Sequence, residues 1–211
     1  MSKKNFRFFL RFFLGIIAFT TLFSMSHVEA ATVNGERIDW NRKMNQGVNI
    51  NYRIASGVEY TVSIPSAAQM LMYPGGGLSN NLVLSQTTSY DASKMDFYQY
   101  RNTNDTAVAK TKSFRKNSSG TYYAMPVSEK DSYDWIYAEI HINDGRIYSS
   151  TGTQLLSNNK IQAVFIHEML HGYGLKDLYY SSNKSSIMYG YTSGTATGLT
   201  SDANSVLNAK Y

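Results

Sequence analysis

Residues Ile161–Asp177 read I-Q-A-V-F-I-H-E-M-L-H-G-Y-G-L-K-D. The apolar residues recur at helical spacing, so the stretch is read as a helix that ends at Gly172 and Gly174, since glycine accepts the left-handed conformation that stops a helix. Asn158 or Asn159 is the expected cap at its start. On such a helix His167 and His171 lie one turn apart on the same face. Two imidazoles held that way can chelate one Zn²⁺, and Glu168 beside them supplies a carboxylate able to act as a base.

A catalytic zinc site uses three protein ligands and keeps one position open. The chain has no cysteine, so thiolate ligands and disulfides are excluded and the third ligand must be His, Asp or Glu. Beyond His171 there is no further His and no Glu, and the only acidic residues are Asp177 and Asp202. Asp177 follows two glycines that let the chain turn back on the helix end, which makes it the expected third ligand. His141 and Asp202 are the alternatives.

The rest of the chain bounds the class. Its 211 residues are 43% hydrophobic and 17% charged, with 17 tyrosines and three prolines, which fits one packed domain plus a processed segment. Residues 1–30 have a basic start, an apolar stretch over Phe12–Phe23 and Val28-Glu29-Ala30 at the end. This reads as a secretory signal peptide cleaved after Ala30, and so as a secreted, extracellular protein; an uncleaved membrane anchor is the alternative. Those residues hold four of the 20 basic and one of the 15 acidic residues, so the formal charge falls from +5 to +2 without them. No dense basic patch remains for nucleic acid, and no stable membrane association is expected once the signal is removed. A monomer is expected.

Ala31–Gln46 reads as a short polar lead-in or the remnant of a small pro-segment, ahead of a domain over 47–211. Strands are expected at Val48–Ile54, Leu82–Thr88 and Lys94–Tyr100, and a helix at Pro65–Tyr73 with Pro in its first turn. Asn102–Gly120 reads as a polar surface excursion. Trp135–Ile142 is the clearest strand, with Trp135, Tyr137, Glu139 and His141 on the face away from the core, and Arg146–Ser149 as a short return strand. A last helix opens near Leu199–Asp202, capped by Thr200 or Ser201. The order implies an α/β or α+β fold.

His167-Glu168-x-x-His171-x-x-Gly174-x-x-Asp177, followed by Ser186-Ile187-Met188-Tyr189-Gly190-Tyr191, resembles the metzincin clan of zinc metalloproteases, in the Asp-ligand variant of small secreted snapalysin-like peptidases. Leu199–Asp202 leading to Tyr211 is similar to the closing helix of matrixin-like domains. The resemblance implies a zincin-like fold: a twisted, mostly parallel sheet with an antiparallel edge strand, an active-site helix, a Met-turn at Met188 and a C-terminal helix. It implies zinc held by His167, His171 and Asp177, and peptide hydrolysis through a zinc-bound water with Glu168 as general base. Some relatives carry a metal-side tyrosine two residues after the Met; that position is Gly190 here, and the neighbouring Tyr191 is the candidate oxyanion donor. Protein or peptide substrates are expected to lie extended along Trp135–Ile142 or the strand after it. Structural calcium, common among such relatives, would draw on Asp131, Asp134, Asn143 and Asp144. These lack calcium-loop spacing and read better as turn caps. A non-catalytic binding or adhesion module and a hydrolase of cell-wall peptides are the rival readings.

Overall fold

The computed structural model describes residues 30–211; the signal-peptide reading, apart from Ala30, lies outside the described residues. The chain forms a mixed α/β fold around a six-stranded sheet. Its strands are β3 (Asn49–Ile54), β4 (Val83–Gln86), β5 (Met95–Tyr100), β6 (Ala109–Lys116), β7 (Tyr122–Ala124) and β8 (Tyr137–Asn143), in the order β4-β3-β5-β8-β6-β7. The first four in that order are mutually parallel, β6 runs antiparallel to β8, and β7 runs antiparallel to β6. The single reversed strand is therefore one place in from the edge, with only the short β7 outside it.

Period-two patterning sets the buried face. Ile50 and Tyr52 of β3 and Ala138, Ile140 and Ile142 of β8 point inward. Helices α1 (Ser63–Met72) and α3 (Asn158–Gly172) cover that face and pack on each other. The opposite face carries a polar and aromatic layer, in which Asp96 is paired with Arg53 and Tyr98 stacks on His141. A single helical turn, α2 (Asp144–Ile147), follows β8, and α4 (Ser201–Lys210) closes the chain.

Several expectations are corrected. Asn102–Gly120 contains β6, whose inward residues Ala109, Thr111 and Ser113 are small or hydroxylated because α3 lies close against them. Arg146–Ser149 is no return strand: Tyr148 N–H closes the α2 turn on the Asp144 carbonyl. Trp135 is fully buried instead of facing outward, since regular strand starts only at Tyr137 and the indole N–H donates to the Gly172 carbonyl at 2.8 Å. The helix α3 is capped by Ser157, whose hydroxyl accepts from Lys160 N–H, rather than by Asn158 or Asn159.

Residues 31–46 are integral to the fold. A small hairpin, β1 (Thr32–Val33) and β2 (Glu36–Arg37), turns through Asn34 and Gly35, both at positive φ. Ile38 and Met44 beyond it are fully buried in the common core. The segment then pairs with the chain leaving α3: Trp40 N–H donates to the Gly174 carbonyl and Lys176 N–H to that of Ile38.

Candidate metal centre

His167 and His171 project from α3 with their rings 4.6 Å apart and perpendicular. Each Nδ1 meets a backbone carbonyl, Ile187 at 2.8 Å and Leu175 at 2.9 Å. A carbonyl can only accept, so each Nδ1 carries the proton, and the Nε2 of a neutral ring offers its lone pair.

Both Nε2 atoms face one carboxylate oxygen. Asp177 Oδ1 lies 3.0 Å from His167 Nε2 and 3.5 Å from His171 Nε2. Tetrahedral zinc with bonds of about 2.0–2.2 Å separates its ligand atoms by roughly 3.4 Å, a separation that these two distances bracket. Without metal the same proximity makes an ion pair. Burial draws the His171 pKa down, but Asp177 outweighs it and raises it to about 9, while the two imidazoles hold Asp177 well below the usual carboxylate range.

Glu168 is the second carboxylate close to the imidazoles, and one donor atom each from His167, Glu168 and His171 falls within 4.8 Å of the others. Its side chain is engaged differently. Thr111 Oγ1 on β6 lies 2.6 Å from Glu168 Oε2 and 2.9 Å from the Glu168 backbone carbonyl. Glu168 is thus held by Thr111, while Asp177 Oδ1 is the carboxylate oxygen turned toward both imidazole Nε2 atoms.

The chain reaches Asp177 through a turn that needs glycine. Gly174 has φ +101°, and a Cβ there would stand 3.0 Å from the Arg42 carbonyl oxygen. At Gly172 a Cβ would come within 2.5 Å of Met95 Cε, so the flexible end of that side chain would have to shift. Leu178 beyond Asp177 is braced by the tight turn around Met188, with Leu178 N–H donating to the Met188 carbonyl and Gly190 N–H to that of Leu178. Met188 is fully buried, and Ser186 Oγ, which accepts from Met188 N–H, donates to Asp202 at 2.5 Å. Asp202 is thereby a support of the turn. His141, stacked on Tyr98 and 2.9 Å from Glu139, lies on the sheet's other face.

No protein-family model matches this chain, and no curated protein matches it in sequence.

Two supports were invisible in the sequence reading. Glu36 on β2 accepts from the N–H groups of Tyr179 and Tyr180 and from Asn183 Nδ2, at 2.7–2.9 Å. Burial tends to raise its pKa, yet these donors outweigh it and lower it. Tyr179 Oη donates to Asp177 Oδ2 at 3.2 Å. Tyr191, the tyrosine singled out in the sequence, packs edge-on against both Tyr179 and Tyr189 and lines the cleft, with about half its surface exposed. Gly190 also acquires a reason: a Cβ there would lie 2.7 Å from Tyr179 and 3.1 Å from Asp177 Oδ1.

His167, Glu168, His171 and Asp177 all line a cleft of about 770 Å³, whose rim includes Ala109–Lys112 of β6. Trp135–Ile142, expected to pair with substrate, is enclosed by β5 and β6 over its strand portion and has no free edge. The edge available at the cleft belongs to β6, because β7 pairs only with Phe114–Lys116. The suggested calcium residues are engaged by protein partners: Asp131 accepts from Arg37 and Asn41 N–H, Asp134 from Lys43 N–H, Asp144 from Tyr60 and Arg101, and the Asn143 side chain accepts from Asn102 N–H and donates to the Ala107 carbonyl. Among the described residues no helix is long and apolar enough to cross a membrane.

Proposed function

We propose that this chain is a secreted, metzincin-like zinc endopeptidase. One observation carries the reading: two imidazoles with their Nδ1 atoms pinned by backbone carbonyls turn both Nε2 atoms onto Asp177 Oδ1, inside a cleft that also holds Glu168. The buried Met188 turn beneath Leu178 and the mixed α/β sheet with one reversed strand near the cleft support the metzincin comparison.

In this reading His167, His171 and Asp177 hold zinc. When bound, zinc supplies a Lewis acid that makes water a nucleophile near neutral pH. Glu168 takes the proton of the attacking water and returns it to the leaving amine. Thr111 occupies Glu168 Oε2, which leaves Oε1 as the proton acceptor. The free edge of β6 at Ala109–Lys112 aligns an extended peptide by main-chain hydrogen bonds. Tyr191, whose hydroxyl has no hydrogen-bond partner among the described residues, is the proposed donor to the oxyanion.

The test is metal analysis of the purified protein together with cleavage of an unfolded protein, with and without chelator. We expect one zinc per chain, chelator-sensitive cleavage, and a Glu168→Gln variant that keeps zinc but loses about 10²–10⁴-fold in kcat. Zinc retention with undiminished cleavage in Glu168→Gln would remove Glu168 from the chemistry. A protein that takes up no zinc would overturn the metal reading.

A further inference from the structure

The charge lining the cleft is unbalanced. Lys110, Lys112, Lys130, Lys160 and Lys176 line it, against only two carboxylates, Glu168 and Asp177, both engaged at the centre. Lys110 is paired with Asp105 at 2.6 Å, and Lys176 lies over the Trp40 ring. Lys130, also near Trp40, stands in the field of Glu168 and Asp177. Lys160 makes no ion pair among the described residues, and its one acceptor there is the Gly194 carbonyl, 2.8 Å from Nζ. An ammonium has three donors, so two are unspent. Lys112 also makes no ion pair among the described residues, but it is exposed, whereas Lys160 is half-buried.

Its position in α3 is also informative. Lys160 stands in the first turn, which contains no acidic residue, so its charge sits at the positive end of the helix dipole. Local helix physics disfavours a lysine there, and together the cation and the helix end make this part of the cleft attractive to an anion. Lys160 is seven residues before His167. That is almost two full turns, which keeps both on one face about 10.5 Å apart along the axis. Ala163 and Val164 lie between them in the helix and line the cleft, as do Ile187, Tyr189 and Ala196. The part of the cleft between the centre and the partly desolvated ammonium is thus lined by these apolar residues. Burial alone draws the Lys160 pKa down, with no carboxylate acting on it.

We propose that this part of the cleft receives an acidic side chain, so that the cleft selects peptides carrying Glu or Asp next to the cleaved bond, bound by Lys160 Nζ. The substrate class rests on the endopeptidase reading above. Recognition itself needs only a carboxylate that reaches the two free donors of Nζ, a charge-assisted contact in a site partly shielded from water.

The test uses peptide pairs that differ only by Glu or Gln at each position flanking the cleaved bond, with zinc-loaded wild type, Lys160→Met and Lys160→Glu. Met keeps the aliphatic stem, and unchanged thermal midpoints establish that the variants fold. Wild type is expected to favour the Glu peptide at one flanking position by about 10–100-fold in kcat/KM. Lys160→Met should lose that preference while cleaving the Gln peptide as before, and Lys160→Glu should favour a Lys peptide. In parallel, calorimetry on Glu168→Gln, with and without zinc, should show the same preference in peptide affinity, abolished when Lys160→Met is added. Equal treatment of Glu and Gln by wild type, or equal loss on both peptides in Lys160→Met, would overturn the assignment. Cleavage without acidic preference sinks this inference alone. If no peptide is cleaved, the endopeptidase reading falls, and the calorimetry still decides whether Lys160 binds carboxylates.

Discussion

The two halves of the candidate centre are held by different means. His167, Glu168 and His171 stand on α3, whose own hydrogen bonds and buried face fix their spacing. Asp177 stands on a return loop that has no regular structure of its own. Its place is set by Ile38 and Glu36 of the N-terminal segment, by the Met188 turn and by Tyr179. The helix side is local in sequence, while the loop side depends on residues about 140 positions away. A metal site built this way should tolerate changes around the helix better than changes to the loop's distant supports.

The largest expected effects come from the proposed ligands and calibrate that contrast. His171→Ala and Asp177→Ala should each lower zinc affinity by more than the roughly 100-fold typical of a lost outer-shell partner, measured by competition with a chromophoric chelator. If Asp177→Ala leaves zinc affinity unchanged, the loop does not supply a ligand and the comparison between the halves loses its basis.

Next comes the remote support. Glu36→Gln keeps the shape but removes the charge that draws in two backbone N–H groups and an amide. Outer-shell partners of metal sites are worth about 10–100-fold in affinity, and the lower end is expected here because Glu36 acts through the loop and does not touch a ligand. The clamp also has a pH signature. The folded-state pKa of Glu36 is lowered, so its contribution is fully present above the ordinary carboxylate value and is lost as pH falls through the lower, folded-state value. In the metal-free protein the amide resonances of Tyr179 and Tyr180 should therefore titrate with a midpoint below 4.5, and Glu36→Gln should abolish that titration. A midpoint at or above the ordinary value would show that the clamp does not form.

The same contrast explains what could be read beforehand. The helix announced itself through apolar spacing, and elimination among the few acidic residues after His171 led to Asp177. The closing helix followed from its capping residues, and Met188 from the resemblance to the metzincin signature. β6 was hidden because its inward side is Ala109, Thr111 and Ser113, small residues that α3 requires and that look like a loop. Trp135 misled because strand parity was extended two residues beyond where the ladder begins. Glu36 and Thr111 carry no motif at all: each matters only because the fold brings it to the centre from a separate element.

Thr111 provides a test on the helix side. Thr111→Val preserves shape but removes the donor to Glu168 Oε2. A hydrogen bond to a charged group is worth about 1.5–3 kcal/mol, so unfolding in denaturant near neutral pH should show a loss in that range, with Thr111→Ser recovering most of it. Zinc affinity should barely move, since the imidazoles keep their carbonyl partners. A large fall in zinc affinity would mean that Glu168, rather than Asp177, completes the ligand set.

The smallest expected effect probes the contact between loop and turn. At Gly190 an added Cβ meets Tyr179 Cε1 at 2.7 Å and Asp177 Oδ1 at 3.1 Å, so in Gly190→Ala the Tyr179 ring must move and Asp177 must give by a few tenths of an ångström. Tyr179 is about half exposed and its ring can swing outward, which keeps the cost near the low end of overpacking, about 1 kcal/mol. Moving the ring breaks the Tyr179–Asp177 hydrogen bond without displacing the Glu36 clamp, because that clamp holds backbone N–H groups. Gly190→Ala should therefore weaken zinc less than Glu36→Gln does, and Tyr179→Phe should weaken it by a similar small factor. If Gly190→Ala instead proves as damaging as Asp177→Ala, the carboxylate itself has moved well beyond that, and the Met188 turn rather than the N-terminal hairpin is the main support of the loop.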